Sequence, residues 1–274
     1  MSAEWDPRFF ERSALYEPLR PSAAALGARD WPTPADLQRL LSARAMPVVS
    51  GGGVPIRFVC AGAKRTRFED RYEPRIYLRG EVPVRARNWH DLFNALVWLA
   101  FPLAKGALNA RHYAALRAQQ AAGAPNRGPL QDALTLLDES GLIVAAADGG
   151  LLGKLEVFAW KDLFWRNRTR VVAGMRFYAF GHALYEKMLA PYRGISGHAI
   201  RLGVDQSLLA APLDGQLETV DAGLARQLLD PAALCSTREL APVPVLGVPG
   251  WHDANRNEAF YDDPGYFRPG RITR

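Results

Sequence analysis

The chain contains 274 residues, of which 49% are hydrophobic and 23% are charged, a balance typical of a soluble globular protein with a substantial core. Only two cysteines are present, which excludes a disulfide-rich scaffold and favours a reducing compartment, so we expect a cytoplasmic protein. We expect no secretion signal in the polar N-terminal region. We also expect no membrane partner, because the longest apolar run, 92–103, is too short to span a bilayer.

The net charge of +6 arises from 29 arginines and 5 lysines against 28 acidic residues. Most of the excess lies in segment 57–87, which has nine basic and four acidic residues. Such a surface attracts anions, so we expect this segment to bind phosphate, with Arg65 and Arg67 contacting the substrate. The alternative is a solvated hairpin whose arginines form ion pairs with acids elsewhere in the chain.

The first predicted elements are short. Residues 1–32 predict an arm with short helices, and a Thr-Pro pair then opens a helix over 33–44. A strand is predicted over 56–60. The residues at 75–79 and 82–84 predict an irregular hairpin, in which a proline confines one strand to a sheet edge.

Two helices follow and form the most informative part of the sequence. Asn88 caps a nearly all-apolar helix over 89–101, and Asp91 at its third position predicts a capping box. A proline ends this helix, and a second helix follows over 105–122. Because the connection is short, we expect the two helices to pack as an antiparallel pair.

An antiparallel pair brings polar side chains of both helices to one place. With a rise of about 1.5 Å per residue, His90, Asn94 and His112 converge, and Asn109 lies on a neighbouring part of the same face. Two imidazoles and the Asp91 carboxylate are suited to binding a divalent metal or to acid–base chemistry. The alternative is structural: Asp91 caps its helix and the histidines are satisfied within the core.

The remaining elements complete the predicted architecture. Residues 132–138 favour a helix, but 135–144 also fit a hairpin with a polar turn. We expect helices over 151–166, over 175–189 at least from Gly181, and over 219–229, a strand over 198–204, and an irregular tail from 242. The sequence therefore predicts a single α+β domain, predominantly helical with a small sheet or hairpins. It divides into an N-terminal arm and helix (1–55), a core (56–240) and a C-terminal tail packed on the core (241–274).

Two further clusters carry polar chemistry. His182 and Glu186 are one helical turn apart and opposite the apolar stripe, so periodicity favours a solvent-facing pair. Asp132, Asp138 and Glu139 offer oxygen ligands suited to Mg²⁺ or Mn²⁺. A solvated turn explains Asp138 and Glu139 equally well.

Five short sequence motifs are informative when taken together: NWHDLFNAL at 88–96, LNARH at 108–112, DALT at 132–135 with Asp-Glu at 138–139, GHAL at 181–184, and PVLGVPGW at 244–251. Together they resemble an uncharacterised bacterial family defined only as domain of unknown function 3025, and the resemblance spans most of the chain. It implies one full-length cytoplasmic bacterial domain with no established activity. It also implies a shared site built from His90, Asp91, His112, Asp132 and His182.

The sequence thus predicts a metal-dependent hydrolase acting on a phosphorylated or nucleic-acid substrate. The expected roles are catalysis by His90, Asp91 and His112, ligation of a divalent metal by His90, His112, Asp132 and His182, and substrate binding by Arg65, Arg67, Asn94 and Asn109. A competing hypothesis is a non-catalytic module that uses the basic 57–87 segment to bind nucleic acid or an acidic partner. A third is a small-molecule pocket lined by Trp89, Trp98 and Trp251.

Overall fold

The computed structural model describes residues 4–27, 30–62 and 66–269. The α-helices are α1 (Arg20–Leu26), α2 (Pro34–Ser42), α3 (Tyr72–Arg79), α4 (Trp89–Ala100), α5 (Pro102–Ala121), α6 (Pro129–Ser140), α7 (Gly149–Glu156), α8 (Arg168–Gly174), α9 (His182–Lys187), α10 (Gln206–Ala210) and α11 (Leu213–Leu229). The strands are β1 (Arg57–Cys60), β2 (Glu81–Val84), β3 (Gly141–Ala146), β4 (Met175–Ala179), β5 (Ser196–Gly203) and β6 (Ala241–Pro244). The protein is therefore a helix-dominated α+β domain with two small sheets, as the sequence predicts.

The larger sheet has the strand order β4-β3-β5-β6. β3 is an uninterrupted apolar run that is buried along its whole length, the pattern of a strand covered on both faces. It pairs antiparallel with β4 and parallel with β5, with Leu142 opposite both Ala179 and Ala199. β6 adds to the other edge of β5, so the expected irregular tail begins with a strand.

The pairing of β3 with β4 brings two helix ends together. α6 ends where β3 begins, and α9 begins just after β4, so both helix ends lie at the same edge of the sheet. The amide of Gly181 donates to Gly141 O over 2.9 Å. A Cβ on Gly181 would lie 2.4 Å from the amide nitrogens of Ser140 and Gly141, so only glycine fits there. This close contact holds the start of α9 beside the end of α6.

The variant Gly181→Ala is expected to lower the free energy of unfolding by about 3 kcal/mol, because the added methyl must displace main-chain atoms. Gly153→Ala in α7 is the control, since a Cβ there meets nothing within 4 Å. It should be neutral or stabilise by up to about 1 kcal/mol. Urea unfolding followed by circular dichroism measures both variants, and equal midpoints would contradict the close contact.

α4 and α5 meet at a sharp bend. The carboxylate of Asp221 in α11 accepts hydrogen bonds from Leu103 N (3.0 Å) and Ala104 N (2.7 Å), which satisfies amides at the start of α5. The helix axes turn through 113°, so the expected antiparallel packing is wrong, because α5 packs along α11 instead. No single helix in the described part of the chain is long and apolar enough to cross a membrane, although the bent pair α4–α5 taken together satisfies length and composition.

The expected hairpin of 75–79 and 82–84 is also wrong. The first segment belongs to α3, which buries Pro74 and Ile76 and ends at Gly80 in the left-handed conformation (φ 66°). β2 pairs with β1 in parallel register, and α3 lies in the crossover between them. Of the apolar residues that suggested a strand, Ile76 is buried on the inner face of a short helix that packs on α5, whereas Leu78 is exposed.

Five of the later predictions have mixed outcomes. The alternative hairpin over 135–144 is wrong, because helix α6 runs directly into β3. The helix predicted over 151–166 is interrupted after α7 and resumes as a π-helical turn (Asp162–Arg166). Within 175–189, the part before Gly181 forms strand β4 (Met175–Ala179), and the helix begins at His182 as α9. The strand at 198–204 and the helix at 219–229 are confirmed as parts of β5 and α11.

Candidate metal centre

Three helix ends meet at one edge of the larger sheet. His90 lies in the first turn of α4, His182 is the first residue of α9, and Glu139 lies in the last turn of α6. The Asn88 side chain accepts a hydrogen bond from Asp91 N over 2.9 Å and fixes where α4 begins. The close contact of Gly181 with the main chain of Ser140 and Gly141 fixes α9 against α6. These local features bring two imidazoles and a carboxylate together.

The two imidazoles face each other through their Nε2 atoms. His90 Nε2 and His182 Nε2 are 2.9 Å apart, and the rings are inclined at 78° with centroids 4.3 Å apart. Glu139 Oε2 lies 3.8 Å from His182 Nε2. One ligand atom from each of these residues lies within 4.8 Å of the other two. Two nitrogens and one carboxylate oxygen therefore surround one point.

The Nδ1 atom of each imidazole faces a carboxylate. His90 Nδ1 lies 3.0 Å from Glu186 Oε2. Because a carboxylate only accepts hydrogen bonds, we assign the proton of His90 to Nδ1, which leaves its Nε2 with a free lone pair. His182 Nδ1 lies 3.8 Å from Asp138 Oδ2 and makes no hydrogen bond of normal geometry with any described residue. Both rings thus have a carboxylate on one side and the shared point on the other.

Burial controls the protonation of this cluster. Burial lowers the pKa of His182 to about 4, although the neighbouring Asp138 carboxylate opposes the shift. The ring is therefore neutral near pH 7, the form that binds metals. Burial raises the pKa of Glu139. A nearby cation would favour the ionised carboxylate of Glu139.

A buried lysine lies behind the cluster. Lys105 Nζ donates to Asp138 Oδ1 over 2.5 Å and to Asn94 Oδ1 over 3.0 Å, and Asn94 Nδ2 donates to Tyr72 OH over 2.5 Å. Burial opposes ionisation of Asp138, but the Lys105 charge and hydrogen bond, with the neighbouring histidines, outweigh it and lower the pKa of Asp138 to about 2. Asp138 is therefore an anion directed at His182.

The cluster opens into a cavity of about 450 Å³, a volume that suits a small molecule. Its polar lining includes Tyr72, Arg85, His112, Arg127 and Thr135. His112 is buried on α5 and stands apart from the two-histidine cluster. None of the described residues hydrogen-bonds to His112, so its ring nitrogens are available to hydrogen-bond a molecule in the cavity.

Asp91 lines the cavity but does not join the cluster. Its carboxylate accepts hydrogen bonds from Arg85 N, Nε and Nη2 over 2.7–2.8 Å. Burial opposes ionisation, but these bonds outweigh it and lower the pKa of Asp91. The predicted capping box is not formed, because Asn88 caps α4 while the Asp91 side chain is held by Arg85. Asp91 thus positions an arginine at the cavity wall.

The prediction of a solvent-facing pair on α9 is wrong for His182. This residue is buried, whereas Glu186 is partly exposed and reaches across to His90. Periodicity failed here because α9 is short and packs against α4 on one side and α6 on the other. The apolar stripe therefore does not mark its only buried face.

Three other predicted site residues, all among the described ones, are not in the cavity lining. Asp132 is exposed on α6. The face of this helix that lines the cavity contains Gln131 and the residues that follow it at intervals of one turn. Asn109 is buried beside the cavity, where its Nδ2 donates to Glu73 Oε2 over 2.7 Å. Arg67 is exposed outside the cavity, and Arg65 lies outside the described residues.

Several arginines of the basic 57–87 segment form ion pairs with nearby acids. The pairs among the described residues include Arg57–Glu81, Arg75–Glu81, Arg79–Asp70 and Arg85–Asp91. This is the paired arrangement that the sequence left open as an alternative, although the acids lie within or next to the segment. Because Glu81 and Asp70 are already counted in the composition of the segment, these pairs hold its arginines in place but remove little of its net positive charge.

A second, larger groove of about 1150 Å³ lies between α5 and α11. Its lining is mainly apolar, and Met46, Leu103 and Leu229 are exposed along it. No histidine is among its described lining residues. Among the described residues, the two facing imidazoles and His112 therefore belong to the smaller cavity.

A family model described as a protein of unknown function (DUF3025) matches residues 56–271. That range contains all of the candidate metal centre and agrees with the resemblance seen in the sequence. No curated protein and no solved structure matches the chain.

Proposed function

Because the chain belongs to the DUF3025 family, whose description assigns no function, we propose its function from the site: a divalent-metal-dependent hydrolase acting on a phosphorylated substrate. One observation carries this proposal. The Nε2 atoms of His90 and His182 face each other at 2.9 Å beside the Glu139 carboxylate. Behind each ring, Nδ1 is directed at a further carboxylate.

The spacing of the ligand atoms fits a metal ion. Nitrogens bound at about 2.1 Å on adjacent corners of an octahedron lie about 3 Å apart, close to the observed separation. A metal would bind both Nε2 lone pairs and leave each Nδ1 protonated. His90 would then donate to Glu186 over 3.0 Å, and the Nδ1–H of His182 would be directed at the Asp138 carboxylate 3.8 Å away. Metal-binding histidines usually donate in this way to an outer carboxylate. Glu139 would supply the oxygen ligand.

Two histidines and one carboxylate leave coordination positions open for water and substrate. This ligand set suits Zn²⁺, Mn²⁺ or Fe²⁺. A metal held by His90, His182 and Glu139 would activate a water for attack on the substrate phosphorus, and His112 would take up a proton from that water. The new P–O bond forms as the bond to the leaving oxygen breaks, and His112 returns the proton to that oxygen.

The test is metal titration of protein purified without a histidine tag. We expect one Mn²⁺ or Zn²⁺ to bind per chain, and hydrolysis of a small phosphomonoester panel to depend on that metal. His90→Ala should abolish both properties. His252→Ala is the matched control, because this histidine accepts from Ala254 N in the C-terminal segment, away from the cavity lining. Absence of metal binding by the unmodified protein would sink the proposal.

Two further properties complete the proposal. A non-catalytic module based on the basic 57–87 segment is less favoured, because four of its arginines are already held in ion pairs with carboxylates. We also propose that the protein acts in the cytoplasm, because Cys60 and Cys235 are exposed free thiols, which persist in a reducing compartment.

A further inference from the structure

The cavity contains one guanidinium that is not engaged by a carboxylate. Of the two arginines in its described lining, Arg85 is held by Asp91 through side-chain contacts of 2.7 and 2.8 Å. Arg127 is exposed, forms no ion pair with any described residue, and donates from Nη2 to the hydroxyl of Thr135. Since Thr135 Oγ1 itself donates to Gln131 O over 2.8 Å, neither group carries a compensating negative charge.

The position of this guanidinium relates it to the metal centre. Gln131, Thr135 and Glu139 follow one another at successive turns of α6, and all three line the cavity. Four residues of helix rise by about 6 Å, so Thr135 lies one turn from the proposed ligand Glu139. The Arg127 side chain folds back onto that turn. A substrate group bound at the metal would therefore lie beside the unpaired positive charge of Arg127.

We propose that Arg127, positioned by Thr135, binds the phosphate of a small substrate while the metal holds the same phosphate through another oxygen. This inference rests on the proposed metal-dependent hydrolysis and names its substrate class. A guanidinium presents two parallel N–H groups, which match two phosphate oxygens. The remaining cavity volume, part of about 450 Å³, accommodates a group of metabolite or mononucleotide size and excludes an extended polymer.

The charge balance of the site supports an anionic substrate. Asp138 is paired with Lys105 and Asp91 with Arg85, so Glu73, Glu139 and Arg127 are the other charged lining groups in the described residues. Without a metal the cavity carries excess negative charge, which attracts a divalent cation. With the cation bound, the excess becomes positive and favours a phosphate.

The test uses inorganic phosphate as the probe, titrated into the Mn²⁺-loaded full-length protein by calorimetry. Arg127→Gln should weaken phosphate binding about tenfold to a hundredfold, the range for losing charge-assisted hydrogen bonds. Arg127→Lys should lose part of this affinity because it keeps the charge without the planar fork. Arg67→Gln, which removes an exposed arginine outside the cavity lining, should change it less than twofold. Mn²⁺ affinity should be unchanged in all three variants.

The possible outcomes separate the two proposals. If Mn²⁺ binds but Arg127→Gln leaves phosphate affinity unchanged, the assignment of Arg127 is overturned while the metal centre stands. If the unmodified protein binds no Mn²⁺, the proposed function and this inference fail together. Acetate titrated in the same way tests the other oxyanion a guanidinium accepts. Acetate binding as tight as phosphate binding would overturn the phosphate assignment in favour of a carboxylate.

Discussion

Replacing Lys105 with methionine is expected to lower the free energy of unfolding at pH 7 by about 3–5 kcal/mol, the usual loss when one partner of a buried ion pair is removed. Lys105 is 3% exposed, and its Nζ lies 2.5 Å from Asp138 Oδ1. Methionine preserves much of the side-chain volume but leaves the Asp138 carboxylate buried without its cation. Chemical denaturation at several pH values measures the loss.

The pH dependence of this stability loss provides a second, independent test of the prediction. In the unmodified protein the pKa of Asp138 is lowered to about 2. Its contribution to stability is therefore present above the unfolded pKa near 3.9 and is lost as the pH falls through 2. In Lys105→Met the unpaired carboxylate has a raised pKa, so the deficit should shrink as the pH falls and Asp138 takes up a proton.

Two comparisons isolate the buried pair. Lys154→Met removes a lysine whose pair with Asp162 is partly exposed, and it should cost less than about 1 kcal/mol. The double variant Lys105→Met/Asp138→Leu removes both charges and should recover most of the lost stability. Equal losses for the two single variants would contradict a buried charge at Asp138.

An element of secondary structure could be predicted from the sequence where the residues that determine it lie within the element or beside it. α4 follows from the Asn88 cap and an apolar run, and β5 and α11 follow from local periodicity. α3 could not be identified in this way, since its residues also have strand propensity and its helical form depends on packing against α5. The angle between α4 and α5 depends on Asp221, more than a hundred residues away in the chain.

The site could be predicted only in part for the same reason. His90 could be recognised because an imidazole at the start of an apolar helix is unusual. Its meeting with His182 depends on the pairing of β3 with β4, which no local pattern reveals. Lys105 gave a detectable signal as a lone lysine between small apolar residues of a central helix. Tyr72 and Arg127 gave none, since only the fold brings them to the cavity.

Removal of a proposed metal ligand is expected to weaken Mn²⁺ binding more than removal of a carboxylate that hydrogen-bonds to a ligand. His182→Ala deletes a coordinating nitrogen and should raise the Kd on the order of a thousandfold, about 4 kcal/mol. Glu186→Gln keeps every ligand but weakens the hydrogen bond that orients His90. Loss of such an outer partner typically costs ten- to a hundredfold in metal affinity. Competition with a fluorescent chelator measures both values.

His112→Ala is the matched control, because this imidazole lines the cavity but lies outside the two-histidine cluster. It should change Mn²⁺ affinity less than about threefold while lowering kcat on a phosphomonoester about a hundredfold or more, the usual contribution of a general acid–base group. If His112 is a general acid–base group, His112→Ala lowers kcat and leaves Mn²⁺ affinity nearly unchanged, whereas Glu186→Gln lowers Mn²⁺ affinity. If His112→Ala weakened Mn²⁺ as much as His182→Ala, His112 would be a ligand. The ion would then have to lie deeper in the cavity than the point between the two facing Nε2 atoms.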